Sequence, residues 1–365
     1  MSDSSPYFPF RYRASRPFAK AVTSEFEEQA RAGKLAPSSA QEILSRHIIT
    51  QYAAEGVSAR QLVGTTRVVT EMMTGLALGE WQQNGSIIYD LAPELVSAFL
   101  HSDLGQISLD NVTFPHDRAY ISFGPQPTMS LGPDIVADGA FILRASIGLR
   151  VILTGRYTGT APPWSERARE CYDLRILAEH HSKPINEAIE GALDDDIRDL
   201  ERARETMLRN DPNADLSPAN ALLEAHRENR AAFAEALKVV VNGLCFITSY
   251  RDDVKLRWPS GAPEKLAAQA ESTRSSKEVR RAESKLLSLG FQRVQYVGSK
   301  FEASAGVSDH RNIKAHWRRG HWRSQAHGPQ FSLHKLIWLA PTRVMGEVAE
   351  GEETIVRVRA DETLR

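Results

Sequence analysis

Residues 140–154 read Ala-Phe-Ile-Leu-Arg-Ala-Ser-Ile-Gly-Leu-Arg-Val-Ile-Leu-Thr, two apolar runs of strand length on either side of a Ser-Ile-Gly break. Short runs of this kind bounded by glycine are read as strands, and a lone pair of strands needs partners to be stable. Tyr120, Ile121 and Phe123 supply a further strand just upstream, before Gly124 and Pro125. The segment Ile107 to Thr154 is therefore expected to form an antiparallel sheet. Before it the texture is helical. Arg67 and Glu71 interrupt the apolar run Leu62 to Leu78 at helical spacing, with Ser58 and Gln61 placed as a capping box. Ser39 and Glu42 repeat that signature ahead of Ile43, Leu44, Ile48 and Tyr52, and Gly56 stops the run. With Phe18 to Ala32 as a first member, these segments make a helical layer over the sheet.

Beyond the sheet, Thr158 to Trp164 punctuates the chain and the composition turns charged and helical from Ile185 to Leu208. Ser217 and Pro218 announce another helix that grows apolar toward Val239 to Ile247, which places Cys245 in a core. Pro259 to Glu283 reads as a loop and exposed helix, or as a linker. The residues after Glu347 are acidic, then alternate Ile355, Val356 and Val358 with Arg357 and Arg359. The expected fold class is α+β: a helical layer packed with an antiparallel sheet, a further helical region and a C-terminal basic β-hairpin. The expected division is an amino-terminal α+β domain over 1–160, a mainly helical region with a charged insertion over 161–300, a hairpin module over 301–346 and a tail over 347–365.

Composition narrows the function. Among 365 residues, 45 Lys and Arg against 46 Asp and Glu leave a net charge of -1, so a charged partner must be met by a local patch rather than a basic coat. Two cysteines exclude a disulfide framework and a zinc site built on cysteine alone, and they suit a reducing compartment. No stretch reads as a signal peptide or as the roughly 20 apolar residues of a membrane span, which leads to the expectation of a soluble cytoplasmic protein. Tyr7, Phe8, Phe10, Arg11, Tyr12 and Arg13 are expected to dock on the core as a terminal strand, or to extend a binding face.

The chemistry concentrates between His310 and Arg343. No Asp or Glu lies there, while five of the 11 histidines and seven Lys or Arg do, interleaved with Trp317, Trp322 and Trp338. Two strand-like runs, Ala315 to Arg323 and Phe331 to Leu339, flank Gly328 and Pro329, the pattern of a hairpin with a longer loop. Alternation sets His316, Arg318, Gly320 and Trp322 on one face and Trp317, Arg319, His321 and Arg323 on the other. Guanidinium groups pair with phosphates and Trp rings stack on bases, worth about 1–3 kcal/mol per base, so this hairpin suits nucleic acid. The candidate contacts are Arg311, Lys314, His316, Trp317, Arg318, Arg319, His321, Trp322, Arg323, Lys335 and Trp338, with Gly320 and Gly328 as structural glycines. The competing reading packs one Trp face on the core and leaves the arginines solvated or paired internally. Zinc is a third reading, but the histidine spacing matches no closed zinc motif. Asp194, Asp195, Asp196, Asp199 and Glu201 point in different directions on a helix, which favours a solvated face over a two-metal site. His180 and His181, ahead of Lys183 and Pro184, read as a helix end without a partnered nucleophile. No catalytic residue, metal or cofactor is expected.

The run His316, Trp317, Arg318, Arg319, Gly320, His321 and Trp322 resembles the tail of an anti-CRISPR family carried by mobile elements, the second described against type V-A CRISPR systems. That family ends in a similar His-x-Arg-Arg-Gly-His-Trp run, a glycine-containing turn and a basic strand closing on a Trp and a Pro, here Trp338 and Pro341. Weaker similarities are Trp81 ahead of Ile87, Ile88 and Tyr89, the Leu91 to Leu100 helix, the Phe114 to Phe123 strand, and Lys255 to Trp258. The chain departs from the pattern at Ala315, where a Pro is usual, and by extra charged helix between Pro163 and Ala236. The resemblance implies a phage- or plasmid-encoded cytoplasmic adaptor rather than an enzyme. It implies recognition of a nascent effector polypeptide and loss of its mRNA at the ribosome, with a recruited host nuclease as a further partner. The alternatives are a metal-dependent nuclease and a general RNA- or ribosome-binding accessory protein.

Overall fold

The computed structural model of the protein describes residues 5–15, 22, 24–25, 28–29, 31–33, 37–54, 66–105, 107–132, 134–159, 171–259, 261–272, 275–301 and 316–344. The stretch that reads as paired strands forms the longest ladder of the molecule. Ile135–Ala145 (β5) runs antiparallel to Gly148–Tyr157 (β6) through the two-residue turn Ser146 and Ile147. Around it an eight-stranded sheet assembles in the order β7-β6-β5-β3-β1-β9-β8, with β4 also paired to β5. The other strands are Ile88–Leu91 (β1), Arg118–Ser122 (β3), Ser130–Gly132 (β4), Cys171–Leu177 (β7), Val254–Arg257 (β8) and Val294–Val297 (β9). The sheet is mixed rather than antiparallel throughout, because β1 pairs parallel with both β3 and β9. The crossover from β1 to β3 carries the helix Pro93–Leu100 (α4), the kind of connection that parallel pairing requires.

Side chains alternate along β5 and β6, so each strand feeds two layers. Phe141, Leu143 and Ile152 point to the face covered by Phe8–Ser15 (α1), Pro37–Ala54 (α2) and Thr66–Gln83 (α3), where Leu44, Ile48 and Trp81 are buried. Ala140, Ile142, Val151 and Leu153 point to the other face, covered by α4, Ile185–Asn210 (α5) and Arg230–Ser249 (α7). Both faces of the sheet are thus roofed by helices, the α+β arrangement expected. Glu264–Ala270 (α8) and Ser276–Ser288 (α9) pair over a small separate cluster around Trp258, Ala270, Ala282 and Leu286.

Four local expectations are corrected. Residues Phe8–Ser15 form a helix, not a terminal strand, because helical spacing lets all four rings find partners. Phe8 lies over Tyr12 at 5.5 Å and against Phe141, while Phe10 meets Trp81. Tyr7 donates to Asp90 at 2.8 Å, and burial pushes both the phenol and the carboxyl up. The expected single helix from Ser217 is two, Ser217–Glu228 (α6) and α7, separated at Asn229. Contrary to the expectation that no stretch suits a membrane span, α7 is long and apolar enough to cross a bilayer by length and composition; 72% of that window is buried within the fold. The acidic run on α5 is not a merely solvated face. Asp195 meets His180 at 2.6 Å, Asp196 meets His226, Asp194 meets Arg230 at 2.9 Å and Glu201 meets Arg227 at 2.6 Å, so the carboxylates tie α5 to its neighbours. The capping box at Ser58 and Gln61, the stop at Gly56 and the punctuation at Ala161 to Trp164 lie outside the described residues. So does most of the expected Phe18 to Ala32 helix.

Candidate nucleic-acid interface

The basic tail folds as the hairpin its sequence suggests. Gly320–His327 (β11) pairs antiparallel with Leu333–Leu339 (β12), from His321 opposite Leu339 to His327 opposite Leu333. Further out, His316–Arg318 (β10) pairs with Thr342–Val344 (β13) with Arg318 opposite Thr342, which continues the same register. The ladder is interrupted between the two pairs where Pro341, lacking an N–H, would have to bond. At the other end Gly328 takes φ +76, a left-handed conformation glycine adopts at little cost, and starts the loop. The hairpin is fixed to the body through Ser102–Asp103 (β2), which pairs parallel with Gly320 and His321.

Gly320 is required by proximity. A Cβ there would lie 2.7 Å from both the Pro341 nitrogen and the Ser102 hydroxyl. Gly320→Ala is therefore expected to cost about 1–3 kcal/mol of stability by overpacking, read from urea denaturation. A wild-type midpoint would show that the two backbones can separate freely.

The two faces of the hairpin have different fates. Trp322 and Trp338 are directly opposite each other and point inward, stacked at 6.1 Å and 3% and 6% exposed. Trp322 Nε1 donates to Asn242 Oδ1 at 2.7 Å, and Trp338 Nε1 donates to Ser102 Oγ at 3.1 Å. Trp338 also packs on Phe99, Phe246 and Phe301. The Tyr250 hydroxyl accepts from the Trp338 backbone N–H at 3.1 Å, capping the strand edge there. Both indoles are committed to the core, so these two rings do not offer the open stacking surface their sequence context suggested.

The outward face carries His321, Arg323, Gln325 and His327 on β11 beside Leu339, Ile337, Lys335 and Leu333 on β12. His321, Arg323 and Lys335 are exposed, and Arg319 is exposed between β10 and β11. Arg323 is steadied by the Gln325 side chain at 2.9 Å. Arg319 and Lys238 both act on Asp103, whose carboxyl is held below the usual carboxylate range first by the Gly105 N–H, against the cost of partial burial. Asn186 on α5 donates to the same carboxylate at 2.9 Å, so one acid orders the base of the hairpin. The surface is a row of cations and imidazoles next to a largely apolar row. It can pair with phosphate or carboxylate groups but brings no described nucleophile with a base. His316, Trp317 and Arg318 lie on β10; Arg311 and Lys314 fall outside the described residues. The sequence reading missed Ser102, Asn242, Tyr250, Phe99 and Phe246, which lie more than sixty residues from the tail and carry no local signal.

One set of residues has metal-ligand chemistry. Glu179, His180 and Asp195 place ligand atoms within 4.8 Å of one another. His180 has Asp195 on Nε2 and the Lys183 ammonium at 3.0 Å on Nδ1, so both ring nitrogens are taken and the set works as an ion-pair network.

The AcrVA2-like family, described as the anti-CRISPR type V subtype A2 family, matches residues 89–346, well over half of the chain and including the whole hairpin. No curated protein matches. A solved structure titled "Crystal structure of AcrVA2" is similar at 11% identity and a TM-score of 0.43, covering 91% of this chain and 96% of that one. The chain belongs to the anti-CRISPR type V subtype A2 family.

Proposed function

We propose that this chain is a phage- or plasmid-encoded anti-defence protein that recognises a nascent type V-A effector polypeptide in the cytoplasm and promotes loss of its mRNA. The chain is a binding protein in this reading, and the hairpin is its contact with RNA or the ribosome. The observation that carries the second half is the segregation of exposed Arg319, His321, Arg323 and Lys335 on the outer face of a hairpin whose other face is fixed to the core. A rigid cationic ladder in a nearly neutral chain presents charge at defined spacing, which suits phosphate recognition. Because the described indoles face inward, affinity rests on charge rather than on stacking. A host nuclease would be recruited rather than built in.

Changing Arg319, Arg323 and Lys335 together to Ala is expected to weaken RNA or ribosome binding and to flatten its dependence on salt. Each phosphate that is no longer neutralised should reduce the slope of log K against log salt by about 0.7–0.9. An unchanged slope would assign these residues a purely internal role. Capture of the tagged protein from translating cells, with peptides and RNA identified together, tests the whole reading. Recovery of neither effector peptide nor effector message would refute it.

A further inference from the structure

β7 is the last strand of the large sheet on its side, and among the described residues no strand covers its outer edge. A cavity of about 300 Å³ follows this edge from Cys171 to Leu177. Met73 and Thr74 of α3 form one wall, and Asp199 of α5 with Leu222 and His226 of α6 form the other. A second cavity of about 230 Å³ shares Met73, Arg175 and Leu177 with the first and continues toward Ile147, which is 72% exposed. Together they make a groove along an open sheet edge, apolar at the Ile147 end.

The other end is acidic. Asp173, Asp195, Asp196 and Asp199 all line the first cavity, against one guanidinium, that of Arg175, and the His226 imidazole. The groove therefore has the charge opposite to that of the hairpin face. An unpaired edge offers backbone N–H and C=O groups to any extended chain, and side pockets then select alternate side chains.

We propose that this groove seats an extended polypeptide as an added strand on β7, with apolar side chains against Met73 and Leu177 and a lysine or arginine reaching the aspartates of α5. The proposal rests on the nascent-chain reading above and gives that polypeptide its site. Two surfaces of opposite charge divide the work. The groove takes a basic, alternating peptide, and the hairpin takes the anionic message.

The test uses the full chain and short labelled peptides tiling the amino-terminal region of the type V-A effector. Hydrogen exchange on the wild type should show residues 171–177 protected when a peptide binds. Asp199→Lys, at a side chain that is 61% exposed, should weaken that peptide about tenfold or more by placing like charges together. Arg323→Glu on the hairpin should leave peptide affinity unchanged. A peptide that binds wild type and Asp199→Lys equally, or that protects β12 rather than β7, overturns the groove and leaves the nascent-chain reading standing. If no effector peptide binds the full chain, both fall.

Discussion

Trp338→Ala is expected to lower the free energy of unfolding by about 3–5 kcal/mol, the range for a large aromatic removed from a packed core. The indole sits between Phe99, Phe246 and Phe301 on one side and Trp322 on the other, and no polar group can move in to fill the space. Ending the chain after Phe301 removes the same ring together with Trp322, and leaves the buried Asn242 carbonyl without its indole donor, about 1–3 kcal/mol more. Urea denaturation of the two variants is therefore expected to show a lowered midpoint for Trp338→Ala and no cooperative transition near the wild-type midpoint for the shortened chain. A separable hairpin module over 301–346 predicts the reverse. Wild-type cooperativity in the shortened chain would establish that module and reduce Trp338 to a surface anchor.

The large elements were legible because their pattern is long. The strand pair around Ser146 and Ile147 repeats its apolar positions over some twenty residues, and the tail announces a hairpin by length, alternation and a Gly-Pro turn. The centre of the sheet was not. β1 and β9 are four residues each, too short to show a period, and they meet across two hundred residues of sequence. The charges of α5 show why residue type alone misleads. Asp195 and Asp196 are neighbours in sequence, yet one reaches His180 and the other His226, partners that periodicity does not reveal. In the tail, alternation separated Trp322 from Arg323 correctly, but it could not say which face meets the core. That choice is made by Asn242 and Ser102, each offering one polar atom where an indole nitrogen needs it.

Removing Arg11 should have the second large effect, and its size should depend on pH. A bulge inserts Asp138 as an extra residue in β5 and turns its carboxylate into the interior, where it is 1% exposed and paired with Arg11. Thr154 donates to the same carboxylate at 3.1 Å, and Arg156 stands at 3.7 Å. Burial pushes the Asp138 carboxyl up, and Arg11 opposes that shift. An acid whose folded pKa lies above its unfolded value favours the fold below the unfolded pKa, and that contribution is lost as pH rises through the folded value. Arg11→Leu raises the folded value further, so its cost should grow as pH rises. At about pH 8 the loss should approach 3–5 kcal/mol, the usual range for a buried charge stripped of its partner, softened by Arg156. At about pH 5 the protonated carboxyl needs no counter-charge, and the loss should be smaller. Adding Asp138→Asn to Arg11→Leu should recover most of the high-pH deficit, because the amide keeps a hydrogen-bonding oxygen and carries no charge. A deficit that is equal at both pH values, or that Asp138→Asn fails to relieve, would mean that Arg11 holds α1 through its bond to the Pro6 carbonyl at 2.7 Å instead.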